Sequence, residues 1–376
     1  MKSERTITFI VTKQCQLQCR YCYLVGKNSN EVMSFEIARK VIDYVLTNNH
    51  IFNEECVIWD FIGGEPLLEM ATIDLIIDYA INRSARLHHK WYDNFKIRIT
   101  TNGLLYSSDM VQQFIAKYKS HLDISISIDG TKQKNDINRI FPNGKGSYDN
   151  IIDNVKLWKS QFSDIGTKMV ISHSDIPYVY ESARHLLELG VNRLDMNTVV
   201  ENVWQDGDER IFEKQLVMLA DYVVDNDLYY DKNLYIFERI IGQPLQENDN
   251  ASPCGSMMLS VDASGTFYTC LRFAQYSLRE QKARNIGNVF DGIDTNKLRP
   301  YIAMDFKSIN LEDKCANCEI AKGCKYCPAE NYDSSNTGTL FQRATAVCKM
   351  HKARVRAKNY YWNRIANKET GRQWRP

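Results

Sequence analysis

The sequence predicts an α/β protein in which a partial, TIM-like (β/α)6 barrel is followed by a smaller cysteine-rich domain. The first observation is that β-rich apolar runs alternate with helical periods through the first two-thirds of the chain. The second is that polar motifs follow successive strands, where parallel β/α barrels assemble their active sites. The third is a length of 376 residues, which exceeds one small module. We expect the barrel over 1–240, the cysteine-rich domain over 241–350 and a basic helix over 351–376.

Each β/α element has its own signal in the sequence. The first helix is expected to begin after Ser34, whose hydroxyl can cap it. A polar, turn-rich stretch at 243–253 predicts the domain boundary, and 257–273 resembles a hairpin. Because strands and helices alternate, the strands should be parallel with right-handed crossovers. The six predicted strands are 6–11, 56–62, 96–101, 122–128, 167–172 and 193–199.

The composition excludes several classes of protein. Lys+Arg 47 against Asp+Glu 46 leaves a net charge of +1, so no overall field attracts nucleic acid or a membrane surface. No apolar run approaches the ~18 residues of a membrane span, and no secretory segment is present. We therefore predict a cytoplasmic protein with no nucleic-acid or membrane partner. In a reducing cytosol, 11 cysteines indicate metal binding or catalysis rather than disulfide bonds.

The cysteines fall into two groups, one near each end of the chain. Three crowd the N-terminus, whereas Cys56 lies in a buried-strand pattern and is expected to be a small core residue. This distribution predicts two separate cysteine sites. The N-terminal group is Cys15, Cys19 and Cys22, and the C-terminal group is Cys254, Cys270, Cys315, Cys318, Cys324, Cys327 and Cys348.

The N-terminal group has the spacing of an iron–sulfur site. Cys15, Cys19 and Cys22 offer three thiolates within eight residues. Tetrahedral zinc would need a fourth ligand, and no histidine lies nearby in the sequence. With Tyr21 just before the last cysteine, the motif resembles the signature of the radical S-adenosylmethionine superfamily. On the three cysteines alone, zinc or a redox role stays open.

Further segments after strands two, three and four strengthen the resemblance, although each alone is also compatible with an ordinary turn. In this superfamily, the segment after strand two presents backbone and a glutamate to the amino group of S-adenosylmethionine. An arginine beyond strand four is directed at the carboxylate of that cofactor. The resemblance implies these cofactor-binding residues: Tyr21, Gly63, Gly64, Glu65, Pro66, Thr101, Asn102, Ser127, Asp129 and Arg139.

The resemblance also implies a reaction. Cys15, Cys19 and Cys22 would bind a 4Fe–4S cluster and take part in catalysis. The iron that they leave open would bind S-adenosylmethionine. Reductive cleavage of that cofactor would yield a 5′-deoxyadenosyl radical, which abstracts a hydrogen atom from the substrate.

The C-terminal cysteines resemble the SPASM domain, an auxiliary-cluster extension of radical enzymes that act on peptides and proteins. The usual pattern has three residues between the fifth and sixth cysteines, whereas this chain has two between Cys324 and Cys327. The ligand role of Cys327 is therefore open. A structural zinc ribbon is the alternative, and His351 is expected on a solvent-facing helix surface. The resemblance implies two further 4Fe–4S clusters, one on Cys315, Cys318, Cys324 and Cys348, the other on Cys254, Cys270 and Cys327 with one open iron.

The whole chain is similar to SPASM-type peptide maturases, most of all to those proposed for precursors with repeated Cys-x-x-x units. A substrate cysteine could bind the open iron, because thiolates are soft ligands. We therefore expect thioether cross-linking of a ribosomally made precursor peptide, with flavodoxin or ferredoxin as electron donor. Only 14 residues precede Cys15, so the leader of the precursor is expected to bind elsewhere on the chain or through a separate protein.

Two alternative functions remain, and the basic C-terminal segment has two possible roles. Sulfatase maturation is the first alternative, but that resemblance would require an aspartate directly after Cys270, where Leu271 and Arg272 stand. A non-catalytic iron–sulfur or zinc scaffold is the second. The basic C-terminal segment predicts either a solvated helix face or a dock for an acidic leader through Arg354 and Arg356.

Overall fold

The computed structural model confirms the predicted alternation of strands and helices. It describes residues 3–25, 27, 29–244, 246, 254–303, 315, 317–324, 327–333 and 338–373. Among these residues the strands are β1 (Glu4–Thr12), β2 (Cys56–Gly63), β3 (Phe95–Thr101), β4 (Leu122–Ile126), β5 (Gly166–Ile171), β6 (Arg193–Thr198), β7 (Asn233–Leu234), β8 (Met258–Val261), β9 (Thr266–Tyr268), β10 (Gly287–Asn288) and β11 (Gly292–Ile293).

The helices alternate with the strands in the N-terminal part and follow them in the C-terminal part. The first begins after Ser34, whose side chain accepts a hydrogen bond from the Ile37 amide, as predicted. The helices of the described residues are α1 (Phe35–Thr47), α2 (Met70–Arg86), α3 (Asp109–Tyr118), α4 (Lys132–Asn138), α5 (Tyr148–Gln161), α6 (Val179–Glu188), α7 (Asp208–Asp225), α8 (Thr295–Ile302), α9 (Pro328–Asp333) and α10 (Cys348–Gln373).

The sheet is a curved, open barrel of parallel strands. Strands β1 to β4 pair in sequence order, and β5, β6 and β7 form a second ladder. Between β4 and β5 the described residues form no ladder, but side chains bridge the gap. The Ser125 hydroxyl donates to the Gly166 carbonyl at 2.6 Å, and Thr167 donates to the Ile126 carbonyl at 2.7 Å. The predicted partial barrel is therefore confirmed.

The core lies between the barrel and its helices, because each helix buries one apolar stripe. Helix α1, for example, buries Ala38, Val41, Ile42, Val45 and Leu46 against the sheet. Cys56 is 6% exposed within this core, which confirms its predicted structural role. No helix in the described part of the chain is long and apolar enough to cross a membrane.

The cysteine-rich region continues the barrel sheet. Strand β8 runs parallel to β1, with Met258 opposite Thr6, and forms the predicted hairpin with β9. Much of the predicted boundary at 243–253 lies outside the described residues. The expectation for His351 was wrong: it is 8% exposed, and its Nε2 lies 2.6 Å from the Ile320 carbonyl oxygen. Its ring faces the packed side of α10 rather than solvent.

Helix α10 packs against α7, so its basic residues meet acidic partners within the same chain. Arg356 pairs with Glu213 at 2.5 Å, and Arg364 pairs with Asp221 at 3.1 Å. The Arg354 guanidinium donates to the backbone carbonyls of Tyr235 and Ile236. Arg354 is therefore neither solvated nor free to bind a leader, whereas Arg356 stays exposed beside Glu213. The side chain of Arg372 and residue Arg375 lie outside the described part.

Candidate active site

One cavity of about 760 Å³ at the barrel mouth gathers residues from every predicted motif of the barrel, but none of the C-terminal cysteines. Their convergence follows from the parallel sheet, because the carboxyl ends of its strands meet at one edge. Pro66 and Asp129 do not line the cavity, although Asp129 contacts a residue that does. The predicted residues that line it are Cys15, Cys19, Tyr21, Cys22, Gly63, Gly64, Glu65, Thr101, Asn102, Ser127 and Arg139.

The cysteine loop after β1 is fastened by backbone hydrogen bonds to the end of α4. The Gln18 amide donates to the Ile140 carbonyl at 2.7 Å, and the Arg20 amide donates to the Asn138 carbonyl at 3.0 Å. Within the loop, the Cys22 amide donates to the Cys19 carbonyl at 3.1 Å. These bonds fix the three thiols relative to the barrel.

Gly63 and Gly64 allow the loop after β2 to approach the cysteine loop. The Gly64 amide donates to the Thr12 carbonyl at 2.9 Å, and a Cβ on Gly64 would lie 2.1 Å from the Gln14 carbonyl oxygen. No other residue type would fit without moving one loop. The two glycines therefore allow the loops that follow β1 and β2 to lie close together.

Glu65 joins the ends of β2 and β3. Its carboxylate accepts hydrogen bonds from the Thr101 hydroxyl at 2.6 Å, the Asn102 amide at 2.7 Å and the Leu67 amide at 3.1 Å. Burial raises the pKa of Glu65, while these donors act in the opposite direction. The carboxylate is thus held rigidly in the cavity wall.

Arg139 forms a polar chain with Tyr21 and Asp129 beside the cysteine loop. The guanidinium donates to the Tyr21 hydroxyl at 3.2 Å, and that hydroxyl donates to Asp129. Burial alone would lower the pKa of Arg139, but Tyr21, Cys19 and Asp129 raise it. Arg139 therefore keeps its charge inside the protein, and its buried Nε has no hydrogen-bond partner among the described residues.

Two cations act on the half-buried thiols of Cys15 and Cys19. Burial raises the pKa of Cys19, whereas Arg139 and Lys27 oppose that rise. Burial also raises the pKa of Cys15, with Lys27 again acting in the opposite direction. Cations favour the thiolate, which is the form that binds metal. Lys27 was not predicted from the sequence, because it lies outside the cysteine motif.

A buried ion pair anchors the helix that precedes Arg139. The side chains of Lys134 and Asp175 are both 0% exposed and lie 3.2 Å apart. Asn138 donates to the same carboxylate at 2.6 Å. This anchor could not be predicted from the sequence, because a buried face of lysine and asparagine has no apolar period.

The C-terminal cysteines form two neighbourhoods. In the first, a hydrogen bond with Cys254 and burial raise the pKa of Cys270. Burial and then Cys270 raise the pKa of Cys327. Cys270 therefore lies near both Cys254 and Cys327, the two thiols that the resemblance groups with it.

The second neighbourhood surrounds Cys324. Burial raises the pKa of Cys324, with smaller upward contributions from Cys348 and Cys315, while Arg343 opposes them. The Cys318 amide donates to the Cys315 carbonyl at 3.3 Å. Across the described residues, no three His, Cys, Asp or Glu side chains surround a single-ion metal site. A four-iron cluster is larger than one ion and is held by thiols that stand further apart.

Arg272 connects the two halves of the site. It follows Cys270 by two residues and lines the cavity together with Leu271. Its Nη2 lies 2.8 Å from Glu330 and 3.4 Å from Glu201, and its guanidinium is 5.2 Å from the centre of the Tyr23 ring. The cavity thus reaches from the N-terminal cysteine loop to the neighbourhood of Cys270.

These residues fit the cofactors that the sequence implies. Three thiols lie at one end of the cavity, and a charged guanidinium with an unsatisfied buried N–H lies beside them. Such an N–H is suited to a ligand carboxylate. The cavity volume of about 760 Å³ falls within the range of small-molecule sites.

Comparison with known sequences agrees with this geometry. Residues 9–174 match the family model described as Radical SAM superfamily. Uncharacterized protein MJ0907 of Methanocaldococcus jannaschii is 33% identical over 50% of this chain and 60% of its own length. Radical SAM cyclopropyl synthase TigE of Paramaledivibacter caminithermalis is 23% identical over 85% of this chain and 66% of its own length. The chain therefore matches less than two-thirds of these two relatives.

A third relative is matched over nearly its whole length. The cysteine-type anaerobic sulfatase-maturating enzyme of Clostridium novyi is 24% identical over 91% of this chain and 93% of its own length. Both a cyclopropyl synthase and a sulfatase-maturating enzyme are thus among the relatives.

Solved structures show the same fold. Native anSMEcpe with bound AdoMet and Kp18Cys peptide has a TM-score of 0.72 at 17% identity, covering 98% of this chain and 99% of that chain. Streptococcus suis SuiB bound to precursor peptide SuiA has a TM-score of 0.60 at 14% identity, covering 92% and 76% respectively. The predicted radical SAM barrel is confirmed, and this family implies one 4Fe–4S cluster and S-adenosylmethionine. Residues 9–174 of this chain are a radical SAM domain.

Proposed function

We propose that this chain is a radical S-adenosylmethionine enzyme that cross-links a ribosomally made, cysteine-containing peptide through a thioether. In this proposal, the barrel over 1–240 holds the first 4Fe–4S cluster on Cys15, Cys19 and Cys22. The region over 241–350 holds two auxiliary clusters on the seven C-terminal cysteines. The predicted polar residues of the cavity bind S-adenosylmethionine.

One observation carries the proposal. A single cavity reaches from the loop of Cys15, Cys19 and Cys22 to Arg272, two residues beyond Cys270. A peptide in that cavity can present a carbon to one end and a cysteine sulfur to the other. A thiolate suits an open iron near Cys270, because both are soft. The cavity therefore supports joining a sulfur and a carbon of the same peptide.

The residues of this chain bind and orient the reacting groups. When bound, the cluster and S-adenosylmethionine supply a 5′-deoxyadenosyl radical that takes a hydrogen atom from a substrate carbon. The free Nε of Arg139 is suited to the carboxylate of the cofactor. Glu65 holds the ends of β2 and β3 together through its hydrogen bonds with Thr101 and Asn102. Holding the cofactor and the substrate in a reactive geometry is a large part of what a protein contributes to such a reaction.

The direct test is anaerobic incubation of the reconstituted protein with S-adenosylmethionine, a reductant and a precursor peptide with repeated Cys-x-x-x units. We expect a product that lacks two hydrogen atoms and has lost one alkylatable thiol. A matched peptide with serine in place of cysteine should stay unchanged. Formation of 5′-deoxyadenosine with no change in the mass of the cysteine peptide would contradict the function.

Sulfatase maturation is the second candidate, supported by the relative from Clostridium novyi and by a carboxylate, Glu201, in the cavity wall. A peptide with the target sequence of a cysteine-type sulfatase separates the two functions. Sulfatase-type oxidation removes sulfur and creates an aldehyde, whereas thioether formation keeps the sulfur. An aldehyde-reactive, sulfur-free product would favour this candidate.

The proposal includes two partners and a location. The peptide substrate is one partner, and flavodoxin or ferredoxin is the proposed electron donor. We propose a cytoplasmic location, where thiols remain reduced. Replacing a chemical reductant with flavodoxin and its reductase should support turnover. Failure of both flavodoxin and ferredoxin to support it would reject this part of the proposal.

A further inference from the structure

Glu201 is a cavity carboxylate that the predicted residues do not include. It follows β6 and lines the cavity near Tyr23 and Arg272. Its Oε1 lies 3.4 Å from Arg272 Nη2. Its Oε2 has no hydrogen-bond partner among the residues that the structure describes. Glu201 therefore has one oxygen available for a substrate.

Glu330 is the other carboxylate on Arg272, and it is placed differently. It accepts the shorter hydrogen bond, 2.8 Å from the same Nη2, and it does not line the cavity. Burial and then Glu201 raise the pKa of Glu330. Glu330 thus anchors Arg272 from behind, while Glu201 faces the space where a substrate would lie.

The proposed function creates a proton at this end of the cavity. A cysteine binds iron and reacts as the thiolate, so its S–H proton must first be transferred to a base. The position after Cys270, where a sulfatase maturase would carry an aspartate, holds Leu271 in this chain. Leucine cannot accept a proton. Another carboxylate must serve if the thiol is to be deprotonated inside the cavity.

We propose that Glu201 is the base that deprotonates the substrate thiol, and that Arg272 is its positioning residue. The Glu201 carboxylate takes the proton, and sulfur keeps the bonding electron pair as a thiolate. Glu201 becomes a neutral carboxylic acid and later returns the proton to solvent. Since a substrate thiol is assumed, this assignment depends on the thioether function proposed above.

The test compares Glu201→Gln, Glu201→Asp and wild type with the Cys-x-x-x precursor. Glutamine has almost the same shape but cannot take the proton, so the rate of cross-linking should fall by about 100-fold, within the usual range for a general base. Glu201→Asp should recover much of the rate. In Glu201→Gln, the rate should rise only as pH approaches the thiol's own pKa of about 8.5. Iron content should match wild type in both variants.

Glu330→Gln is the matched control, because it removes the other carboxylate on the same arginine. If Glu201 only held Arg272 in place, Glu330→Gln should be at least as harmful, since its contact is shorter. We expect instead that Glu330→Gln retains far more activity and the wild-type pH profile. Equal losses in the two glutamine variants, or a Glu201→Gln variant with the wild-type rate and pH profile, would overturn the assignment.

The same experiment separates this assignment from the function on which it depends. If wild type cross-links the peptide and Glu201→Gln does so equally well, only the role of Glu201 fails. If wild type leaves the cysteine peptide unchanged, both fail, because there is then no thiol for Glu201 to deprotonate.

Discussion

The two cysteine regions are built in different ways. Cys15, Cys19 and Cys22 come from one loop, which backbone hydrogen bonds fasten to Asn138 and Ile140. The C-terminal thiols come from positions between 254 and 348, in a region whose strand β8 pairs with β1 of the barrel sheet. The first site is thus specified by local spacing, whereas the second depends on tertiary structure.

The charges around the two regions also differ. Arg139 and Lys27 act on the N-terminal thiols, so that end of the cavity is suited to an anionic group such as a carboxylate. At the other end, Arg272 lies between Glu201 and Glu330. One end can therefore hold a charged cofactor, and the other has the cavity carboxylate, Glu201, that we propose as a base.

The largest expected effect comes from removing each cysteine group in turn. The Cys15/Cys19/Cys22→Ala variant should lose all 5′-deoxyadenosine formation, because no radical can then be generated. The Cys254/Cys270/Cys327→Ala variant should still form 5′-deoxyadenosine but release unmodified peptide. Chromatography of both products checks this. A cross-linked product from the second variant would contradict the separate roles of the N-terminal and C-terminal cysteine groups.

The next largest effect concerns Arg139. Replacing it with glutamine removes a charged donor from the buried Tyr21–Asp129 chain. Hydrogen bonds to charged groups contribute about 1.5–3 kcal/mol, so binding of S-adenosylmethionine should weaken by roughly 10- to 100-fold. Anaerobic calorimetry on the cluster-loaded protein measures it, with the exposed Arg184→Gln as control. Unchanged affinity would show that Arg139 does not face the cofactor.

The sequence predicted the barrel and the N-terminal site because both depend on local patterns. Strand periods, the Ser34 cap and the spacing of Cys15, Cys19 and Cys22 all lie within short segments. Glu201 was missed because it belongs to no motif and reaches the site only through the barrel curvature. The acidic partners of α10 were missed because α7 lies more than a hundred residues earlier in the chain.

A smaller effect is expected from the contact between α10 and α7. Reversing Arg356 to Glu should lower the free energy of unfolding by up to about 1 kcal/mol, since exposed ion pairs contribute little. It should leave peptide binding unchanged. Adding Glu213→Arg should restore stability. Urea unfolding and peptide titration of both variants test this, and weakened peptide binding in Arg356→Glu would support the leader-docking interpretation instead.

The smallest effect is the pH dependence contributed by His351. Burial lowers the pKa of His351 below its ordinary value near 6.5. The unfolded chain therefore binds this proton more readily, and stability should fall as pH decreases below about 6.5. In His351→Gln, the slope of unfolding free energy against pH should be shallower in that range. An unchanged slope would mean that the ring takes a proton equally well in both states.

We propose that one chain holds three iron–sulfur clusters in two regions of different construction. The most direct measurement is the iron and sulfide content of anaerobically purified protein, with Mössbauer spectra, for wild type and for Cys15/Cys19/Cys22→Ala. We predict about twelve irons per chain in wild type and about eight in the variant, as 4Fe–4S clusters require. About four irons in wild type, with zinc in the C-terminal region, would contradict the account.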